Sequence, residues 1–384
     1  MPALQFLPWC HLADECCAGD VTLLPFTRDS KIKGSDALHT AWARLILNPY
    51  KNSGGLPVRQ AVLVRYGDKD LFADVSDDER ARTSECVDLT AFAALSKREF
   101  FIPWRRNCNF DNFRMVGHRF PDDPAWAAIV TRRPEGETWN MVALAEVVFS
   151  QPLHVNSKSA IDIDRPLLEA ILKQRSEGDQ DEWRRWQNAI ICFNRANTDD
   201  SAMLHQVEWT LLCSAFQHLL DANSKAKDVA RLFAEATPQA DKVLATASRR
   251  KPERREKVDK SLRYEWLREF YRIRGDFAHG RLTTRQPTAW NLGEHLLLAK
   301  MVFPLLVRCL LAKAGRYQLV PTDCAQLRAF EPFADCESFK PDELSDDEPP
   351  WQKCLEAELQ QAHLERVIAG LGESSQSGDS KNAS

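Results

Sequence analysis

The sequence predicts an α+β fold: a β-rich mixed domain over residues 1–160, a helical bundle over 161–320 and an acidic tail over 321–384. Three observations carry this expectation. Short runs of branched and aromatic residues, separated by turn signals, fill the first part of the chain. Apolar residues then recur at three- and four-residue steps almost without interruption. After Pro321 the chain turns polar and acidic, as in Ser345-Asp-Asp-Glu-Pro-Pro350.

In the first domain the runs 21–25, 61–65, 113–119, 126–131 and 141–149 predict strands. Turn signals part them at Asn52-Ser-Gly-Gly55, Gly67-Asp68, Pro121-Asp-Asp-Pro124 and Pro134-Glu-Gly136. Two helices are expected among them, at 36–47 and 77–95. Leu38, Trp42 and Leu45 line one side of the first, which predicts its buried face.

The bundle reads as four main segments. Segment one, 181–197, repeats Trp183, Trp186, Ile190 and Phe193 along one face. Thr198-Asp-Asp-Ser201 then offers N-cap residues for segment two, 202–222, which carries Leu204, Val207, Leu211 and Leu219. A weaker helix is expected over 228–247. Segment three, 262–279, has the stripe Leu262, Trp266, Phe270, Ile273 and Phe277. Segment four, 290–314, is apolar around most of its circumference and is expected to be the most buried. One more helix fits 351–368, and the last dozen residues, rich in Ser, Gly and Asn, predict disorder.

Composition narrows the function classes. With 384 residues, 44% apolar and 28% charged, the chain suits two ordinary folded domains. A net charge of −4 excludes a polycation, so any nucleic-acid contact must come from a local patch. Residues 249–260 hold seven basic and three acidic residues around Pro252, a pattern that reads first as a solvated linker. None of the eleven cysteines forms a C-x-x-C pair, and most lie in apolar runs, as expected of reduced thiols in a cytoplasmic protein. Cys10, His11, Cys16 and Cys17 lack the second ligand pair of a structural zinc site, and no metal or other cofactor is expected. No basic region precedes an apolar core at the start, so no signal peptide is expected. The apolar stretch 296–312 carries Lys300, Pro304 and Arg308, which favours a core helix over a membrane span.

Within segment three, Tyr271-Arg-Ile-Arg-Gly-Asp-Phe-Ala-His-Gly280 stands apart. The core stripe accounts for Ile273 and Phe277 but not for Arg274, Asp276 or His279. Gly280 fits the position just past a helix, which sets His279 at the helix end. Five residues of helix turn a side chain by about 140°, so Arg274 and His279 do not share a face in a regular helix. They converge only through a distorted turn or through a second protomer.

This arrangement resembles a HEPN domain, in which a late helix of a four-helix antiparallel bundle carries an R-x4-6-H ribonuclease motif. Phe193-Asn-Arg-Ala-Asn197 and the 271–280 phrase look most like the Apea-like branch of that family. The resemblance covers roughly residues 180–315. One departure is Gly275, which stands where many HEPN nucleases carry a polar residue; Asp276 follows it. The resemblance implies metal-independent cleavage of RNA by attack of the ribose 2′-OH on the adjacent phosphorus. The products are a 2′,3′-cyclic phosphate and a 5′-OH. Catalytic roles then fall to His279 as the proton-transfer group, Arg274 as the fixed cation and Asp276 as an orienting carboxylate.

The same resemblance implies a homodimer formed through the bundle, RNA as substrate, and a role as a toxin or antiphage-defence effector with an antitoxin or trigger protein as partner. The β-rich domain then senses the trigger, binds RNA or restrains the nuclease. Two other readings stay open from the sequence. One is a non-catalytic HEPN module that binds RNA or a protein partner; the other is a bundle that serves assembly alone. Glu208, in segment two, is either a partner for Arg274 or a surface residue.

Overall fold

The computed structural model describes residues 2–32, 35–101, 108–120, 123–223, 225–237, 260–281, 288–340 and 348–376. These form a mixed α+β chain of two compact units, Met1–Leu204 and His205–Ser384. The division falls well beyond the expected boundary at residue 160.

Unit one is built on a five-stranded antiparallel sheet in the order β2-β3-β5-β1-β6. Its strands are β1 (Ala3–Leu7), β2 (Cys16–Ala18), β3 (Val21–Thr27), β5 (Gln60–Tyr66) and β6 (Val116–Arg119). Short β4 (Tyr50–Lys51) pairs in parallel with β9 (Phe149–Ser150). β7 (Trp126–Arg133) and β8 (Gly136–Ala143) form a separate hairpin. The expected run 141–149 is therefore not one strand: it holds the end of β8, a 3-10 turn at Leu144–Glu146 and the start of β9.

Helix α1 (Ala37–Leu47) begins where the Asp36 carboxylate accepts from the His39 amide at 2.7 Å. Its buried residues are Thr40, Ala43, Ile46 and Leu47, and the last three join Leu4, Phe6, Phe26 and Leu63 in one apolar cluster. The expected face is right at Trp42, which packs on Phe72 and Phe120, and wrong at Leu38 and Leu45, which are exposed. Helix α1 carries apolar residues on two sides, and periodicity cannot choose between them. Helix α2 (Asp77–Leu95) matches its expected span. A reciprocal Ser76/Glu79 capping box and three acids in its first turn start it.

Helices α3 (Arg165–Glu177) and α4 (Gln180–Arg195) complete unit one. Helix α4 is segment one of the expected bundle, and its apolar stripe is buried as the spacing predicts. That stripe faces α2, however: Phe193 meets Phe92 edge-on at 5.4 Å, and Trp183 Nε1 donates to Glu85 at 2.9 Å. The 198–201 stretch forms a turn held by Arg98, whose guanidinium grips Asp199 at 2.7 Å, and α5 starts only at His205.

Unit two contains α5 (His205–Leu219), α6 (Ala226–Ala236), α7 (Leu262–Ala278), α8 (Leu292–Lys313), α9 (Pro321–Ala334) and α10 (Pro350–Gln376). Helix α7 lies in the middle of the core. Its Trp266 and Phe270 rings pack with Trp209, Phe216, Phe233 and Phe330. All five residues of the segment-three stripe are buried. On α5 the expected stripe is wrong in part: Leu204 and Val207 are exposed, while Trp209, Leu212, Cys213, Phe216 and Leu219 are buried. Helix α5 packs along α7, with Trp209 on Phe270 and Phe277, Cys213 O on the Tyr271 hydroxyl, Phe216 on Trp266 and Phe270, and Gln217 on Arg274. Helix α6 lies between them in sequence and runs antiparallel to α7, with Phe233 on Trp266 and Thr237 on Arg263.

Helix α9 was read as polar tail, yet Ala325, Leu327, Ala329, Phe330 and Phe333 are buried. Helix α8 is the one described helix long and apolar enough to cross a membrane, and most of it is buried within the unit. Its charges are paired: Lys300 with Glu208 at 2.6 Å and Arg308 with Asp323 at 3.5 Å. The basic run 249–260, apart from Lys260, the acidic run 345–350, apart from Glu348–Pro350, and residues 377–384 lie outside the described residues.

Two features of this fold give measurable consequences. Arg263 and Glu331 form a fully buried pair at 2.6 Å, with Thr237 Oγ1 accepting a further guanidinium bond at 3.0 Å. Replacing Glu331 by Ala strands a buried charge, so Glu331→Ala loses roughly 3 kcal/mol of stability in urea unfolding. The double replacement Arg263→Met with Glu331→Leu recovers most of that loss.

The second is His118 on β6, whose Nε2 lies 2.8 Å from the Tyr50 hydroxyl among Phe6 and Phe149. Burial holds its imidazole down to about 4. The unfolded chain protonates this group near its ordinary value while the folded chain does not. Stability from His118 is thus full above about pH 6.5 and falls by roughly 3 kcal/mol as pH drops to 4. Burial raises Asp88 to about 6, which acts in the opposite direction over the same range. The melting temperature of His118→Gln is therefore expected to fall less steeply than wild type between pH 6.5 and 4.

Candidate functional site

The site is built at the ends of two helices of unit two. Helix α7 starts on Ser261, whose hydroxyl accepts from the Tyr264 amide at 3.4 Å, and stays buried as far as Phe277. It closes with His279 in the capping position and Gly280 at a φ of +73°. Arg281 N–H donates back to Asp276 O at 3.1 Å, and Gly280 N–H donates to Phe277 O at 2.9 Å. This paired closure needs a left-handed residue after the cap, which glycine adopts without penalty.

His279 N–H still reaches Gly275 O at 3.2 Å, so the final turn is regular. The distorted turn needed to bring Arg274 and His279 together within one chain does not occur. Among the described residues, no hydrogen bond or ion pair links these two side chains. The His279 side chain is exposed and bonds to no described residue.

Arg274 is half-buried. Its Nη1 donates to Gln217 Oε1 at 2.9 Å, and its guanidinium lies 5.7 Å from the centre of the Tyr271 ring. No described carboxylate lies within ion-pair distance of it. Tyr271 is locked in turn: its hydroxyl donates to Cys213 O at 2.5 Å and stands 3.5 Å from Gln217 Oε1. Burial pushes the Tyr271 phenol well above its ordinary range, so it stays a neutral donor.

Asp276 does not hold Arg274. Its carboxylate faces Arg281 at 3.0 Å, an ion pair across the helix end. Glu208 is no partner of Arg274 either, since its carboxylate takes Lys300 at 2.6 Å and His205 at 3.4 Å. Of the three predicted site residues, Arg274 is half-buried and His279 exposed, while Asp276 pairs with Arg281 across the helix end.

Gln217 and Tyr271 were not singled out from the sequence. Tyr271 stands three residues before Arg274 and thus on the same helix face, a signal that spacing offers. Gln217 is 57 residues away on another helix, and nothing local marks it. In unit one, Cys16 and Cys17 are adjacent on β2 and so face opposite sides, one buried and one exposed. Among the described residues, no three His, Cys, Asp or Glu side chains are grouped to hold a metal ion. Comparisons with known proteins add no relative: no family model, curated protein or solved structure matches the chain.

The helix closure is open to test by one substitution. A Cβ at position 280 meets nothing within 4 Å, so Gly280→Ala is penalised by its backbone conformation alone. A stability loss of about 1 kcal/mol in urea unfolding is expected.

Proposed function

We propose that the chain is a metal-independent endoribonuclease of the HEPN kind, with Arg274 and His279 as its catalytic residues. The observation that carries this reading is that no described carboxylate pairs with Arg274 at the end of α7. Arg98, Arg175, Arg263 and Arg308 face a carboxylate, whereas half-buried Arg28 and Arg44 bond to the Asn48 amide and to backbone carbonyls. Among the described residues, Arg274 faces a neutral amide and an aromatic ring. A half-buried guanidinium held in this way is set to receive an external anion, and its planar fork suits a phosphate.

In this reaction the ribose 2′-oxygen attacks phosphorus and forms the cyclic P–O2′ bond. The P–O5′ bond breaks, and the departing oxygen takes up a proton. Arg274 offsets the charge that builds on the phosphoryl oxygens. His279, exposed at the helix end, moves the proton. Because the helix stays regular to its end, the two residues point about 140° apart within one chain. A two-fold dimer that sets Arg274 of one protomer against the partner's copy of the motif completes the site. A role as a toxin or antiphage effector, held by a partner protein, follows from family analogy.

The test is cleavage of total RNA in EDTA by the full chain and by Arg274→Ala and His279→Ala. Wild type is expected to leave cyclic phosphate ends, and each variant to lose roughly 100-fold or more in rate. Growth arrest on expression, lost in both variants, is the companion readout. Equal cleavage by all three proteins removes this site, and a monomeric mass by light scattering removes the shared-cleft arrangement.

A further inference from the structure

Gln217 lies in the last turn of α5, and that turn is closed much as α7 is. Asp221 adopts a φ of +48°, Ala222 N–H donates to Gln217 O at 3.1 Å, and Asp221 N–H donates to His218 O at 3.3 Å. The backbone of Gln217 is therefore fixed by a complete helix cap. Its side chain meets a cation, which settles the orientation of the amide: only the oxygen can accept from the guanidinium. Its nitrogen, bonded to no described residue, then faces away from Arg274 as a donor. Among the described residues, no carboxylate pairs with either side chain.

A carboxylate at position 217 would differ by one atom type and would ion-pair with Arg274. The amide holds the same geometry through its dipole and leaves the charge unspent. Arg274 lies one turn from the carbonyl end of its own helix and bonds to the last turn of α5. A helix's carbonyl end carries partial negative charge, which favours a cation without neutralising it as a carboxylate does.

We propose that Gln217 is a positioning residue that aims Arg274 at a phosphoryl group and keeps its charge available to RNA. This rests on the nuclease reading above and assigns a second helix to that site.

The test uses the full chain with Gln217→Glu, Gln217→Ala and Arg274→Ala. Binding to a short, non-cleavable 2′-O-methyl RNA is followed by fluorescence anisotropy across a salt series, and cleavage of unmodified RNA is measured beside it. For Gln217→Glu, the slope of log affinity against log salt is expected to drop by about 0.7, as it does when one cation is lost from a single-strand contact. Arg274→Ala is expected to show the same drop. The melting temperature of Gln217→Glu stays level or rises, because an ion pair is gained. Gln217→Ala keeps the wild-type slope and loses roughly 10- to 100-fold in kcat with little change in KM, since the cation remains but is no longer aimed.

If Gln217→Glu keeps wild-type slope and cleavage while Arg274→Ala loses both, the role of Gln217 is overturned and the Arg274 site stands. Retention of both by Arg274→Ala overturns the nuclease reading and this inference together. Equal losses in both Gln217 variants, accompanied by lowered melting temperatures, reduce the residue to a structural one and also overturn the proposal.

Discussion

Helix α7 passes through the middle of unit two, and its burial constrains every polar group it carries. From Leu262 to Ile273 nearly every turn faces protein. A charged residue there must bring its partner with it, because an unpaired buried charge costs several kcal/mol. Arg263 has Glu331 and Thr237. Glu269 accepts from the backbone amides of Ala289 and Trp290 at 2.7 and 3.3 Å and stands 3.3 Å from the buried His295. These ties fix α7 to α6, α8 and α9. At the helix end the pattern differs, since among the described residues Arg274 meets Gln217 and the Tyr271 ring.

The legible parts of the fold are those where one signal dominated. Helix α2 was fully marked by its capping box and acidic first turn. Helices α7 and α8 were marked by long apolar periodicity. The errors have a common physical origin, since periodicity finds an apolar face but not what covers it. Helix α4 has a clear stripe, and that stripe packs on α2, an element far away in sequence. Helix α1 has two apolar sides, and Leu38 and Leu45 were placed on the buried one in error. Strand β1 is buried at all five positions and lacks the alternation that marks a half-covered strand. Helix α9 was hidden by Asp323, Glu331 and Pro332, although both acids are buried and paired.

The candidate site was legible to a different degree. Arg274 and His279 were visible as residues that core packing leaves unexplained, and Gly280 gave the helix end. Asp276 was read as an orienting carboxylate, whereas Arg281, five residues on, takes it. That pairing depends on the chain reversing after Gly280, which a linear reading does not display. Gln217 was invisible because its contact is made across helices, between residues with no shared pattern.

The place of β1 in the sheet has a consequence for how unit one comes into being. Residues 3–7 occupy an interior position, with β5 on one side and β6 on the other, pairing Phe6 with Leu63 and with Val116. During synthesis this segment emerges well before its second neighbour, which is more than a hundred residues behind it. Non-local pairing of this kind slows folding, because a long loop must close before any contact rewards it. Until then Leu4, Phe6 and Leu7 form an apolar segment with open hydrogen-bonding edges. The emerging chain must keep it from neighbouring chains on the same message while the rest of the sheet is made.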